Sequence, residues 1–330
     1  MTDTLAVLGA GSWGTALAIA LGRRGHRVRL WTLQAADAAA MNALRVNAQF
    51  LPDIVLPPTV TATADLAGAL DAAQGVLVAV PSRAFRDVLE RLAPLLPVRE
   101  LAWATKGFEE DTGLLLHQVA AEVLGEVACV AISGPSFAGE VALGLPTALT
   151  VASPDPAAAG AWVQRLHGDT LRAYRSDDLI GVQVGGAVKN VLAIAAGIAD
   201  GLGFGANARA ALITRGLAEV QRLGLALGAR RDTFLGLSGL GDLLLTCTDD
   251  QSRNRRVGLA LADGKTVQQA VDALGQVAEG VATARAVQRL AARLGVDMPI
   301  CTEVYRVLHE QRDVLGAVQA LLGREPSAEL

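Results

Sequence analysis

Lysine is nearly missing from this chain: of 29 basic residues only Lys106, Lys189 and Lys265 are lysines, and arginine carries the rest. Cysteine is as scarce. Cys129, Cys247 and Cys301 are odd in number, far apart and form no CxxC pair. That excludes a disulfide framework and a cysteine zinc site, leaves no metal to be expected, and fits a reducing, cytoplasmic compartment. Aromatic residues make up 4%, and the formal net charge is −4. No positive field therefore favours nucleic acid or an anionic membrane. A long apolar run does exist, since residues 5–22 carry no charge. However, Gly9, Gly11 and Gly14 interrupt it, Asp3 precedes it, and Arg23 and Arg24 follow on the wrong side for a signal peptide. It reads as a buried strand turning into a helix, and no integral membrane segment is expected.

What remains is a chain of 330 residues, 52% hydrophobic and 19% charged, ample for two globular domains. Short apolar runs at 4–8, 27–31, 60–63, 75–80, 100–104, 128–133 and 147–152 read as strands. Helical stretches such as 85–96 and 114–124 lie between them. Strands alternating with helices imply a mainly parallel α/β sheet of Rossmann type. The alternation ends near Arg175. Beyond it the segments 178–200, 206–227, 253–261, 267–273, 282–294 and 299–310 all read helical. The expected division is an α/β domain over 1–177 and an all-α domain over 178–330.

Gly9-Ala-Gly11-Ser12-Trp13-Gly14 is a GxGxxG placed between the first strand and the first helix. The first glycine permits the tight turn and the second lets a pyrophosphate approach the backbone. The third lets helix and strand pack closely, while the helix start offers free N–H groups to the anion. The second strand ends Trp31-Thr32-Leu33-Gln34 and shows no acid before Asp37. An acid there would hold the ribose hydroxyls of NAD and repel a 2′-phosphate, so its absence leans the expectation to NADPH over NADH. Three further strand ends, where open α/β sheets place ligands, carry turn or polar residues: Val80-Pro81-Ser82, Thr105-Lys106-Gly107 and Ser133-Gly134-Pro135-Ser136. Ser136 could cap a helix as readily as bind a ligand.

In the helical half, Lys189 stands in IGVQVGGAVKNVLAIAAGIA with no other charged side chain. Such a lysine either snorkels to a helix edge or serves proton transfer, which arginine cannot. Asp242 follows a glycine turn and precedes an apolar run, as a helix cap or as a site carboxylate. Ser252-Arg253-Asn254-Arg255-Arg256 opens a helix and suits a single phosphate group better than a nucleic acid. The four histidines share no motif and are given no catalytic role.

Together the segments GAGSWGTALA, VPS, WATKGFE, ISGPSFAGE, GVQVGGAVKNVLAIAAGIADGLGFGANARAALITRGLAE, GLGDLLLTCTDDQSRNRR and GQVAEG resemble the bacterial NAD(P)-dependent glycerol-3-phosphate dehydrogenase family. The resemblance implies a helical domain like that of 6-phosphogluconate dehydrogenase. It also implies reduction of a small phosphorylated three-carbon substrate, dihydroxyacetone phosphate, to sn-glycerol 3-phosphate for phospholipid synthesis. By that resemblance Lys189 is the proton donor and acceptor. Lys106, Gly134, Ser136, Lys189, Asp242, Ser252, Arg253 and Asn254 contact substrate. Ser12, Trp13, Lys106, Ala138, Arg253, Val277 and Glu279 join Gly9, Gly11 and Gly14 around the cofactor. Leu33 departs from the family, where a basic or polar residue is usual. A homodimer is expected from the apolar surface of the alanine-rich C-terminal helices. The rivals are a 3-hydroxyacid or 6-phosphogluconate type of dehydrogenase and a non-catalytic dinucleotide sensor.

Overall fold

The computed structural model describes residues 2–95 and 100–325, which form two compact units. The first comprises Met1–Glu109 and Leu114–Gln183, the second Glu110–Gly113 and Val184–Leu330. The first unit runs β1 (Thr4–Leu8), α1 (Ser12–Arg23), β2 (Arg27–Trp31), α2 (Ala35–Leu44), β3 (Val46–Asn47), β4 (Leu51–Val55), β5 (Val60–Thr63), α3 (Leu66–Leu70) and β6 (Gly75–Val78). It continues with α4 (Phe85–Leu92), β7 (Glu100–Trp103), α5 (Leu116–Leu124), β8 (Ala128–Ser133), α6 (Ala138–Leu143), β9 (Thr147–Ala152), α7 (Pro156–Leu166) and β10 (Leu171–Ser176). The expected helix over 85–96 closes with a 3-10 turn at Ala93–Leu95, and its last residue lies outside the described residues.

Eight strands form one sheet in the order β10-β9-β8-β7-β6-β1-β2-β5. All neighbours pair in parallel except β8 with β9. The chain therefore crosses over on either side of β1, and the crevice between the carboxyl ends of β1 and β6 is a topological switch point. Helices cover both faces, which is why the central strands are apolar throughout. Along β1, Leu5 and Val7 enter one core with α1 and α7, while Ala6 and Leu8 enter the other with α4 and α5. Two features differ from the sequence expectation. Residues 46–55 form a small antiparallel hairpin (β3–β4), and Leu171–Ser176 adds an edge strand whose inward Leu171 and Ala173 alternate with exposed Arg172 and Tyr174.

The second unit holds α8 (Leu179–Gly201, its first turns in the first unit), α9 (Gly205–Ala226), α10 (Asp242–Thr248), α11 (Arg253–Ala262), α12 (Val267–Asp272), α13 (Glu279–Leu294), α14 (Pro299–His309) and α15 (Val314–Leu322). The two units divide inside α8, between Gln183 and Val184. Leu179 and Val182 belong to a core of the sheet unit, and His117 is hydrogen-bonded to Gln183. Residues 110–113 join the helical unit because Arg285 pairs with Glu110 and Arg289 donates to the carbonyls of Glu110 and Asp111. Among the described residues only α8 is long and apolar enough to cross a membrane, and 94% of its apolar window is buried in protein, so it is a core helix.

Candidate active site

In the sheet unit, the fingerprint glycines are fixed by contact. Gly9 has φ +116°, and its N–H donates to the Trp31 carbonyl at the end of β2 (3.0 Å). A Cβ on Gly14 would lie 1.9 Å from the Gly9 carbonyl oxygen, so only glycine lets α1 start this close to the turn. Gly11 caps α1 with no side-chain bond, and a Cβ there would meet nothing within 4 Å. The helix start is thus open on the side where its N–H groups favour an anion. Beside it the Trp13 indole N–H is buried without a protein partner. These observations fit a bound dinucleotide.

The neighbouring strand ends are tied together. Thr105 Oγ1 donates to the Val80 carbonyl (2.7 Å), joining the ends of β7 and β6. Lys106 Nζ and Ser136 Oγ both donate to the Gly134 carbonyl, at 3.1 and 2.9 Å. Lys106, Gly134 and Ser136 therefore meet at one carbonyl. Phe137 rather than Ser136 is the N-cap of α6, which begins at Ala138.

In the helical unit, the isolated lysine of α8 has found its partners. Lys189 is 8% exposed and its Nζ is ion-paired and hydrogen-bonded to Asp242 Oδ1, itself 1% exposed. Nζ also donates to Thr246 Oγ1 at 2.9 Å, and Thr246 Oγ1 donates to the Asp242 carbonyl at 2.5 Å. Asp242 and Thr246 lie four residues apart on α10, so both face the same way. Asp242 is the first residue of the helix rather than its cap, because a π-helical turn at Leu237–Gly241 leads into it. Such turns cluster at functional sites because they re-aim the following side chains. One turn before Lys189, a Cβ on Gly185 would lie 2.4 Å from the Ser238 carbonyl oxygen in that π turn. The close crossing at Gly185 is what lets a lysine on α8 reach α10.

The segment 252–256 divides by helical phase. Ser252 caps α11, its Oγ accepting from the Arg255 N–H (3.2 Å). Arg253 is half-buried and donates to Gln276 Oε1 (3.2 Å); burial lowers its guanidinium from the ordinary value, while Glu279 raises it. Arg253, Gln276 and Glu279 thus form one neighbourhood, with Val277 between the last two. Asn254 is a strut: its Nδ2 donates to Asn190 Oδ1 and its Oδ1 accepts from the Gly280 N–H, each at 2.9 Å. Arg255 turns inward, 7% exposed, to ion pairs with Asp200 (2.7 Å) and Asp250. Thr246, Asn190 and Gln276 carry contacts to which no role was given from sequence. Spacing marks Thr246, four residues after Asp242; nothing local marks the other two.

Cys247 neighbours Thr246, yet burial pushes its thiol up to about 12, with the Lys189 charge opposing too weakly. Burial likewise raises Cys129 to about 11 and Cys301 well above its ordinary value. A thiolate is the reactive form, so the buried Cys247 and Cys301 should react far more slowly with a thiol reagent at pH 8 in the native protein than once it is denatured. Rapid labelling of Cys247 in the native state would contradict this. Among the described residues no three His, Cys, Asp or Glu side chains form a metal cluster.

A dinucleotide fingerprint on a doubly wound sheet, followed by a helical unit with a buried Lys–Asp–Thr cluster, defines a class of nicotinamide-dependent dehydrogenases. Two family models divide this chain: the NAD-dependent glycerol-3-phosphate dehydrogenase N-terminus matches residues 4–159 and the corresponding C-terminus matches 178–319. The chain belongs to the NAD-dependent glycerol-3-phosphate dehydrogenase family. It is 60% identical over 327 residues to glycerol-3-phosphate dehydrogenase [NAD(P)+] of Thioalkalivibrio sulfidiphilus, covering 98% of each chain. It is 57% identical over 330 residues to the same enzyme of Halorhodospira halophila, covering 100% of this chain and 99% of the other. The solved glycerol-3-phosphate dehydrogenase of Coxiella burnetii is 48% identical with a TM-score of 0.95, covering 98% of this chain and 99% of that one.

Proposed function

We propose that this protein catalyses the reversible NAD(P)H-dependent reduction of dihydroxyacetone phosphate to sn-glycerol 3-phosphate, with Lys189 as general acid and base. The observation that carries this reading is the buried Lys189–Asp242–Thr246 cluster. A reduced nicotinamide nucleotide held by Gly9, Gly11, Ser12, Trp13 and Gly14 would supply the hydride for the carbonyl carbon. As that C–H bond forms, the carbonyl π pair moves onto oxygen, and Lys189 Nζ delivers the proton that makes the hydroxyl. Its positive charge also stabilises the developing oxyanion before transfer. In the oxidative direction the neutral amine takes the hydroxyl proton back. Asp242 and Thr246 hold the amine by two bonds, so the long side chain is oriented before substrate arrives.

Arg253, at the start of α11, supplies the cation for the substrate phosphate, whose binding energy positions the ketone. Lys106 with Gly134 and Ser136 completes the substrate contacts; Gly9, Gly11, Ser12, Trp13, Gly14, Ala138, Val277 and Glu279 serve the nucleotide. The missing acid after β2 favours NADPH. Exposed Leu294, Leu315 and Leu322 support a homodimer, and the product suits glycerophospholipid synthesis in the cytoplasm. The deciding assay is loss of reduced-nicotinamide absorbance with NADH or NADPH and dihydroxyacetone phosphate; turnover only with 3-hydroxy acid substrates would overturn the reading. Arg253→Ala should raise KM for dihydroxyacetone phosphate about ten- to a hundredfold, as for a lost charge-assisted contact. An unchanged KM would remove Arg253 from phosphate binding.

A further inference from the structure

The hairpin that the sequence did not reveal reaches back to the glycine loop. Asn47, the last residue of β3, is 5% exposed and its Nδ2 donates to the Ala10 carbonyl and to Thr15 Oγ1, both at 2.8 Å. Thr15 is itself fully buried in α1, and its N–H closes the first helical bond to the Gly11 carbonyl (2.9 Å). One amide group thus holds the turn and the helix that follows it. Its base is firm. Leu51, Ile54 and Leu56 enter the same core as α1, and Arg45 donates to the carbonyls of Leu56 (3.0 Å) and Val60 (3.1 Å).

The chemistry of that contact is specific. Ala10 lies between the first two fingerprint glycines. In a trans peptide the carbonyl and the following N–H point to opposite sides. Pinning the Ala10 carbonyl into the protein therefore turns the Gly11 N–H outward, where Gly11 has open surroundings. Only a planar amide supplies two donors from one nitrogen at this length; a carboxylate would set acceptor against acceptor.

We propose that Asn47 is a positioning residue of the nucleotide loop, holding the Ala10–Gly11 peptide in the orientation that presents its N–H to a dinucleotide phosphate. The proposal rests on reading Gly9–Gly14 as the nucleotide site. The test is titration of full-length wild type, N47A, N47D and T15V with NADH and NADPH, followed by fluorescence, with melting temperatures and KM for dihydroxyacetone phosphate at saturating nucleotide.

N47A is expected to weaken nucleotide binding about tenfold, the cost of one lost buried hydrogen bond, while KM for dihydroxyacetone phosphate stays at the wild-type value. N47D should weaken it further. T15V removes the second acceptor but leaves the Ala10 contact, so it should lower the melting temperature and spare nucleotide affinity. Folded N47A that binds nucleotide like wild type overturns the proposal, as does T15V losing as much affinity as N47A. Should N47A not fold, N47D decides alone: wild-type affinity overturns the proposal and weakened affinity supports it. Failure of the wild type to bind either nucleotide would instead sink the nucleotide-site reading itself.

Discussion

Lys189→Ala is expected to lower kcat by about two to four orders of magnitude, the range that positioned proton transfer contributes, while nucleotide affinity persists. The split follows from the placement of the residue. Lys189 lies in the helical unit on α8, whereas the glycine fingerprint lies in the sheet unit, on the turn from β1 into α1. The substitution also strands Asp242, which is 1% exposed and would lose its counter-charge. Removing one partner of a buried pair costs about 3–5 kcal/mol, so melting must be measured alongside turnover. Lys189→Met fills most of the volume of the aliphatic stem, so comparing it with Lys189→Ala separates loss of packing from loss of the ammonium. Normal turnover in either folded variant would end the assignment of Lys189 as general acid and base.

The second large effect is expected at a residue with no functional group. Gly185→Ala places a methyl 2.4 Å from the Ser238 carbonyl oxygen, and backbone on both sides leaves no side chain free to yield. Overpacking of this kind costs about 1–3 kcal/mol, and α8 and the π turn must move apart. Because Gly185 and Lys189 share a helix face, that separation also draws Nζ away from Asp242 and Thr246. Both melting temperature and kcat should fall. Gly160→Ala in α7 is the control: a Cβ there meets nothing within 4 Å, and the helix should gain about 0.5–1 kcal/mol. Equal behaviour of the two variants would mean that the α8 crossing does not set the site.

The sheet and the helical half were legible because their signals are local. Apolar runs separated by helices carry the parallel sheet, and GxGxxG carries the switch point at β1. The hairpin at 46–55 was not. Leu51-Pro52-Asp53 breaks the alternation expected of a strand, and its antiparallel pairing shifts register between Val46 and Asn47. Edge strand β10 was hidden by its exposed face, where Arg172, Tyr174 and Arg175 read as a polar connection. Within the expected site, the direction of the side chains was not legible. Nothing in Ser-Arg-Asn-Arg-Arg states that Arg255 turns into the protein toward Asp200 while Arg253 stays half-buried beside Gln276. Helical phase decides it, and phase depends on where the helix starts. Asn254 shows the same limit, since its two bonds go to residues 64 and 26 positions away in sequence.

The scarcity of lysine has a practical side. With Lys265 half exposed, Lys106 half-buried and Lys189 enclosed, side-chain amines are sorted by depth, and there are only three of them. An amine-selective reagent applied to this protein acts almost as a site-directed probe. Among the lysines Lys265 labels first and is a ready attachment point, whereas slow loss of activity during continued labelling reports on Lys106 and Lys189.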